Sequence, residues 1–217
     1  MTFAVDALPT LRRSGVPTPA MALVGNVLLA AFYLLFVFRH VAFARDSGAW
    51  ATTMPLVVQE SILVLLILTR RRSTATSLNP LDWVAAGACT FLPLMMRAAE
   101  TPSALRPVGE ILQIVGLSLV ILSLAYLRRS FGLVAAHRGI KTVGAYAVVR
   151  HPMYTAYMVS QIGYVLVHQS ARNLAIGVIT CGGLVLRAAL EERLLACDPA
   201  YESYRRRIRW RFVPYVY

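Results

Sequence analysis

Residues 148–195, VVRHPMYTAYMVSQIGYVLVHQSARNLAIGVITCGGLVLRAALEERLL, decide how this chain folds. Two apolar runs, 154–167 and 174–190, are separated by the polar connector HQSARN, and neither alternates polar with apolar as a half-buried strand would. Inside hydrocarbon every backbone N–H and C=O needs a partner within the protein, which leaves helices and closed barrels as spanning structures. The stretch therefore reads as a helical hairpin. Arg150, His151 and Pro152 open it, and Glu191 and Glu192 close it.

Working outward, four more apolar runs precede the hairpin, at 20–38, 50–69, 81–96 and 108–126. A crossing takes about 20 mostly apolar residues. The first, second, fourth and sixth runs meet that length; the third carries Asp82 and Pro93, and the fifth is short. Composition agrees, with 58% hydrophobic and 15% charged residues against a soluble norm of about 45–50% and about 25%. The expected fold class is all-α, a polytopic membrane protein of about six transmembrane helices, or five if a marginal run fails to cross.

The basic residues test that count, because they gather on cytoplasmic loops. Seventeen of the 22 fall on one set of alternating segments: before the first run, after the second, after the fourth, and at the end of the sixth and in the tail. The other five are Arg39, Arg45, Arg97, Arg106 and Arg172. This bias favours six spans with both termini cytoplasmic, in the inner (plasma) membrane of a bacterium. Losing one span would put the two basic halves on opposite sides. The opening MTFAVDALPTLRRSGVPTP lacks the apolar core and cleavage site of a secretory signal. Residues 1–127 then form an N-terminal membrane region, and 128–217 a region with two long cytoplasmic segments where chemistry is to be sought.

A net charge of +12 raises the question of nucleic acid, but the arginines lie in short clusters between apolar runs, without a basic stripe interleaved with aromatics. No nucleic-acid partner is expected. Cys89, Cys181 and Cys197 have neither disulfide-framework nor zinc spacing, so no metal is expected either.

Three polar elements remain. Glu191 and Glu192 end the last run, where the helix dipole disfavours carboxylates; they read either as solvated partners of Arg187 or Arg193, or as holders of a cationic or hydroxyl-rich ligand. Pro152 fixes a helix start and leaves an irregular turn before it, with Arg150, His151, Tyr146 and Tyr154 around free helix-start amides that suit an anionic group. The alternative is an interfacial stop with snorkelling Arg and belt Tyr. The tail DPAYESYRRRIRWRFVP reads as a headgroup anchor or as a flap over the site, with Arg207 supplying a fork for a carboxylate or phosphate. Gln59 and Glu60 sit mid-span and read first as an interhelical hydrogen bond.

Taken together, GAYAVVRHPMYTAY, a hydrophobic hairpin and EERLLACDPAYESYRRRIRWRFVP resemble the isoprenylcysteine carboxyl methyltransferase and phospholipid methyltransferase superfamily of integral membrane enzymes. The pattern is carried by Gly144 and Tyr146, Arg150 to Tyr154, Glu191 with Glu192, Tyr201 with Tyr204, Arg207 and Pro214, over roughly the last 90 residues. The resemblance implies methyl transfer from S-adenosyl-L-methionine, without a metal, to a lipid or prenylated acceptor at the cytoplasmic membrane face. It implies cofactor binding by Tyr146, Arg150, His151, Pro152, Tyr154, Glu191 and Glu192, substrate binding by Arg207 and Tyr204, and catalytic roles for Glu192 and Arg207. A carboxylate acceptor needs only a cation such as Arg207; an amine or thiol acceptor makes Glu192 or His137 a base. Within the superfamily, phospholipid or amine N-methylation and small-thiol S-methylation are the alternatives. Outside it stands a transporter or anchoring protein.

Overall fold

Proline sets most of the helix starts, since its fixed φ suits the first turn and its missing N–H costs nothing there. Pro19, Pro80, Pro107, Pro152 and Pro199 each stand at the first or second position of a helix. Side-chain oxygens of Thr18, Asn79, Ser170 and Asp198 cap four starts by accepting from backbone N–H groups two or three residues on.

The computed structural model describes residues 14–15, 18–48, 50–71, 75–97, 104–132, 136–137 and 140–216. The chain is mostly helical, with seven α-helices among these residues. They are α1 (Pro19–Ser47), α2 (Trp50–Thr69), α3 (Pro80–Phe91), α4 (Arg106–Leu127), α5 (Pro152–Val167), α6 (Ala171–Leu195) and α7 (Pro199–Arg207). Three segments, Pro19–Asp46, Arg106–Leu127 and Ala171–Leu195, are long and apolar enough to cross a membrane. The first apolar run continues as helix well past residue 38 and stops at Gly48, in the left-handed region at φ 70°. The third run is the shortest helix of the apolar set: Pro93 stands in a 3-10 turn, Leu92–Met95, that ends it. At 16 residues α5 rises about 24 Å, less than a hydrocarbon core of about 30 Å.

Three short strands, absent from the all-α expectation, tie the connecting segments together. These are β1 (Ser14–Gly15), β2 (Ala75–Ser77) and β3 (Ala136–His137), antiparallel in the order β1-β2-β3, with Ser14 opposite Ser77 and Ala75 opposite His137. The segment before α1, the one after α2 and the one after α4 thus meet on one side of the helices. Arg12, Arg13, Arg72 and Arg138, which entered the charge count, lie outside the described residues.

Helices α4 and α5 approach most closely, because glycines remove the side chains that would hold them apart. A Cβ on Gly109 would lie 2.7 Å from the Gly163 carbonyl oxygen, and one on Gly116 would lie 2.5 Å from the Ser160 nitrogen. The core behind this seam joins Val120 and Leu124 of α4, Met153 and Tyr154 of α5, Leu184 and Ala188 of α6, and Leu63 and Ile67 of α2. The α5–α6 turn is locked by Asn173, fully buried, whose amide nitrogen donates to the carbonyls of Arg97 and His168, both at 2.8 Å. With its far end fixed, the hairpin brings the start of α5 against the end of α6.

Candidate functional site

The turn ahead of α5 begins at Gly144, whose φ of 62° is one that L side chains rarely adopt, and continues as the 3-10 turn Gly144–Ala147. From there the chain lies against the tail. Arg150 N donates to Trp210 O and His151 N to Arg211 O, both at 2.9 Å, and Thr155 Oγ1 donates to Phe212 O at 2.8 Å. Pro152 then starts α5, so the Arg-His-Pro run is held by backbone pairing on one side and by helix geometry on the other.

Glu191 and Glu192 are neighbours with different surroundings. Glu192 is 4% exposed and lies in a cage of basic groups: His151 Nε2 stands 3.0 Å and Arg150 Nη1 3.3 Å from its Oε1, and Arg211 Nη2 is 2.8 Å from its Oε2. These partners compensate both burial and the unfavourable end of the α6 dipole. Glu191 instead accepts a hydrogen bond from the Tyr154 hydroxyl and pairs with Arg187, one helical turn earlier, at 3.4 Å. The Arg187 guanidinium lies 5.1 Å above the Tyr154 ring centroid.

In front of these groups opens a cavity of about 130 Å³, lined by Tyr146, Arg150, His151, Tyr154, Glu191, Tyr201 and Tyr204, with Lys141 and Ser130 across from them. Tyr204 is fixed by donating from its hydroxyl to Tyr146 O at 2.7 Å. Two donors of the lining, Arg150 Nε and the Tyr201 hydroxyl, are buried with no hydrogen-bond partner among the described residues. Each such vacancy costs about 1–3 kcal/mol in an apolar setting. Burial raises the phenol pKa of Tyr146 and Tyr201 well above the ordinary value, and it pushes Tyr204 up to about 12 against the opposing pull of Arg150 and Arg207. The phenols of this wall therefore keep their protons and serve as donors.

The structure thus brings Tyr146, Arg150, His151, Tyr154, Glu191 and Tyr204 to one cavity. Pro152 shapes the turn behind them, and Glu192 faces its cage rather than the cavity. Arg207, the last residue of α7, is exposed and does not line the cavity. The His137 side chain lies outside the described residues. Arg187, Arg211 and the Tyr201 hydroxyl take part without standing among the expected site residues. The i, i+4 spacing of Arg187 and Glu191 was the visible signal for the first; the other two needed the fold of the tail.

No family model and no curated protein matches the chain.

Proposed function

We propose that the chain crosses the membrane six times with both termini cytoplasmic, and that the cavity binds S-adenosylmethionine for methyl transfer to a lipid or lipid-like acceptor at that face. The β1-β2-β3 arrangement supports paired crossings by α1 with α2 and by α3 with α4, independently of charge, since it joins the segments before α1, after α2 and after α4 on one side. An even number of crossings must then separate them.

The observation that carries the cofactor reading is the pair of orphaned donors, Arg150 Nε and the Tyr201 hydroxyl, beside the Glu191 carboxylate in one tyrosine-lined cavity. A ligand with a carboxylate, a cationic centre and hydroxyls satisfies all of these: guanidinium and phenol for the carboxylate, aromatic faces for the cation, and Glu191 for the ammonium or a hydroxyl. S-adenosylmethionine has those groups and, when bound, supplies an activated methyl on sulfur. An acceptor lone pair would take that methyl as its bond to sulfur breaks, the electron pair staying on sulfur. The protein's contribution is alignment and exclusion of water. Arg150 and Tyr201 anchor one end of the ligand, Tyr154 and Tyr146 line its middle, and Glu192 holds Arg150, His151 and the tail in place without touching it.

The test is titration of the purified protein with S-adenosylmethionine, for wild type and for Glu191→Ala and Tyr201→Phe. Saturable binding that weakens about tenfold or more in each variant is expected. Absence of saturable binding, or variants that bind as wild type does, would sink the proposal.

A further inference from the structure

A second cavity, of about 190 Å³, lies among α1, α2, α3, α5 and α6, on the membrane side of the first. Only one layer of side chains divides the two: Met153 lines both, while Arg187 of the second cavity stacks on Tyr154 of the first. From Arg187 to Thr180, both on its wall, is seven residues of α6, so the cavity runs about 10 Å along that helix.

Its lining is unusual for the interior of an apolar helix bundle. Gln59, Glu60, Gln161 and Thr180 face it from three helices, alongside the rings of Tyr33 and Tyr157. Thr180 is 3% exposed, and its hydroxyl has no hydrogen-bond partner among the described residues. Glu60 is also buried, and His40 Nδ1 lies 2.9 Å from its Oε2. A slot for a plain hydrocarbon chain gains nothing from such groups, and each one left unpaired opposes its occupancy. Arg187 brings a positive charge to the wall, the Thr180 hydroxyl stands seven residues away along α6, and Gln59 and Glu60 add an amide and a carboxylate from α2, groups that suit a hydrogen-bond donor. The volume exceeds the roughly 150 Å³ of a cavity known to hold benzene, so one substituted ring fits within it.

We infer that this second cavity holds the reactive head of the methyl acceptor, and that the head is a ring-sized group polar at both ends. Its carboxylate lies at Arg187, facing Met153 and the first cavity, and a hydroxyl or amine lies at Thr180, Gln59 and Glu60. Any hydrocarbon tail on the acceptor extends out of the slot into lipid. The acceptor role rests on the methyl-transfer reading; the binding chemistry of the slot does not.

The experiment uses the full chain in detergent and two probes of nearly equal shape, 4-hydroxybenzoate and 4-methylbenzoate, with S-farnesylcysteine as a hydrocarbon-bearing control. We expect saturable binding of 4-hydroxybenzoate about tenfold tighter than 4-methylbenzoate, since a site built for a hydroxyl rejects the analogue lacking it. Thr180→Val, close to isosteric, and Gln59→Leu should each erase most of that ratio while S-adenosylmethionine affinity stays within twofold. Equal affinities for the two benzoates in wild type, or binding of the farnesyl compound alone, overturn the inference even if both variants fail to fold. A preserved hydroxyl preference in folded Thr180→Val and Gln59→Leu overturns it as well. Loss of cofactor binding with the benzoate preference intact would remove the methyl-transfer reading and leave the slot's chemistry standing.

Discussion

The two ends of α6 are built on opposite rules. At its start, Ser170 caps the helix, and the buried Asn173 side chain satisfies the carbonyls of Arg97 and His168 and the N–H of Arg97. At its end, Glu191 and Glu192 sit among arginines, a histidine and tyrosines, and two buried donors nearby have no partner among the described residues. Complete satisfaction marks a joint whose work is to hold shape. The unpaired donors at the other end are the groups that the proposed ligand would satisfy.

The comparison breaks most visibly at Glu192. Replacing it with alanine leaves Arg150, His151 and Arg211 without their shared carboxylate, a loss of about 3–5 kcal/mol for a buried pair. Thermal unfolding in detergent should show it, together with loss of S-adenosylmethionine binding. Asn173→Ala is the matched change at the other end. It removes three buried hydrogen bonds and should lower stability by about 2–3 kcal/mol, with cofactor affinity in the surviving folded protein unchanged. If cofactor affinity fell in parallel with stability, the contrast between the two ends would be lost.

Tyr201→Phe sharpens the contrast from the other side. The hydroxyl has no protein partner among the described residues, so unfolding of the ligand-free protein should stay within about 0.5 kcal/mol of wild type or improve. Cofactor affinity should fall about tenfold in the same variant. A smaller effect is expected from alkali. The phenols of Tyr146, Tyr201 and Tyr204 have raised pKa values in the fold, so the folded state holds protons that the unfolded state has already lost. Their contribution is complete below about pH 10 and is lost as pH rises towards the Tyr204 value of about 12. Denaturant midpoints measured between pH 9 and 12 should decline, and Tyr204→Phe should flatten that decline. Arg207→Ala should matter least, with stability within about 0.5 kcal/mol of wild type and methyl transfer near wild type, because the side chain is exposed. Abolished transfer would return Arg207 to the catalytic role its place in the motif suggested.

Much of the arrangement was readable from residue order. Two adjacent apolar runs must return on themselves, so the residues opening one and closing the other meet, which is why Arg150, His151 and Tyr154 could be paired with Glu191 and Glu192. Their division of labour was not readable. Neighbours on a helix point about 100° apart, and only packing decides which carboxylate faces a cavity and which a cage. Arg187 was visible through its i, i+4 spacing to Glu191, whereas Arg211 was masked by the same arginine excess that made the topology legible. The polar slot was half legible: Gln59 and Glu60 stood out mid-span, but Gln161 and Thr180 come from two other helices, each unremarkable in its own run. The two- and three-residue strands carry no periodicity at all.

The backbone pairing of Arg150 with Trp210 and of His151 with Arg211 has a consequence for biogenesis. The first cavity is walled by elements separated by some 60 residues of chain, and its turn is held by the tail through main-chain groups that every amino acid possesses. A nascent polypeptide already threaded into the bilayer by its earlier helices cannot shape that turn until synthesis has passed Phe212. On the methyl-transfer reading, activity at this site is therefore withheld from incomplete translation products, and a change of side chain at Trp210, whose carbonyl pairs with Arg150, is tolerated better than loss of that segment.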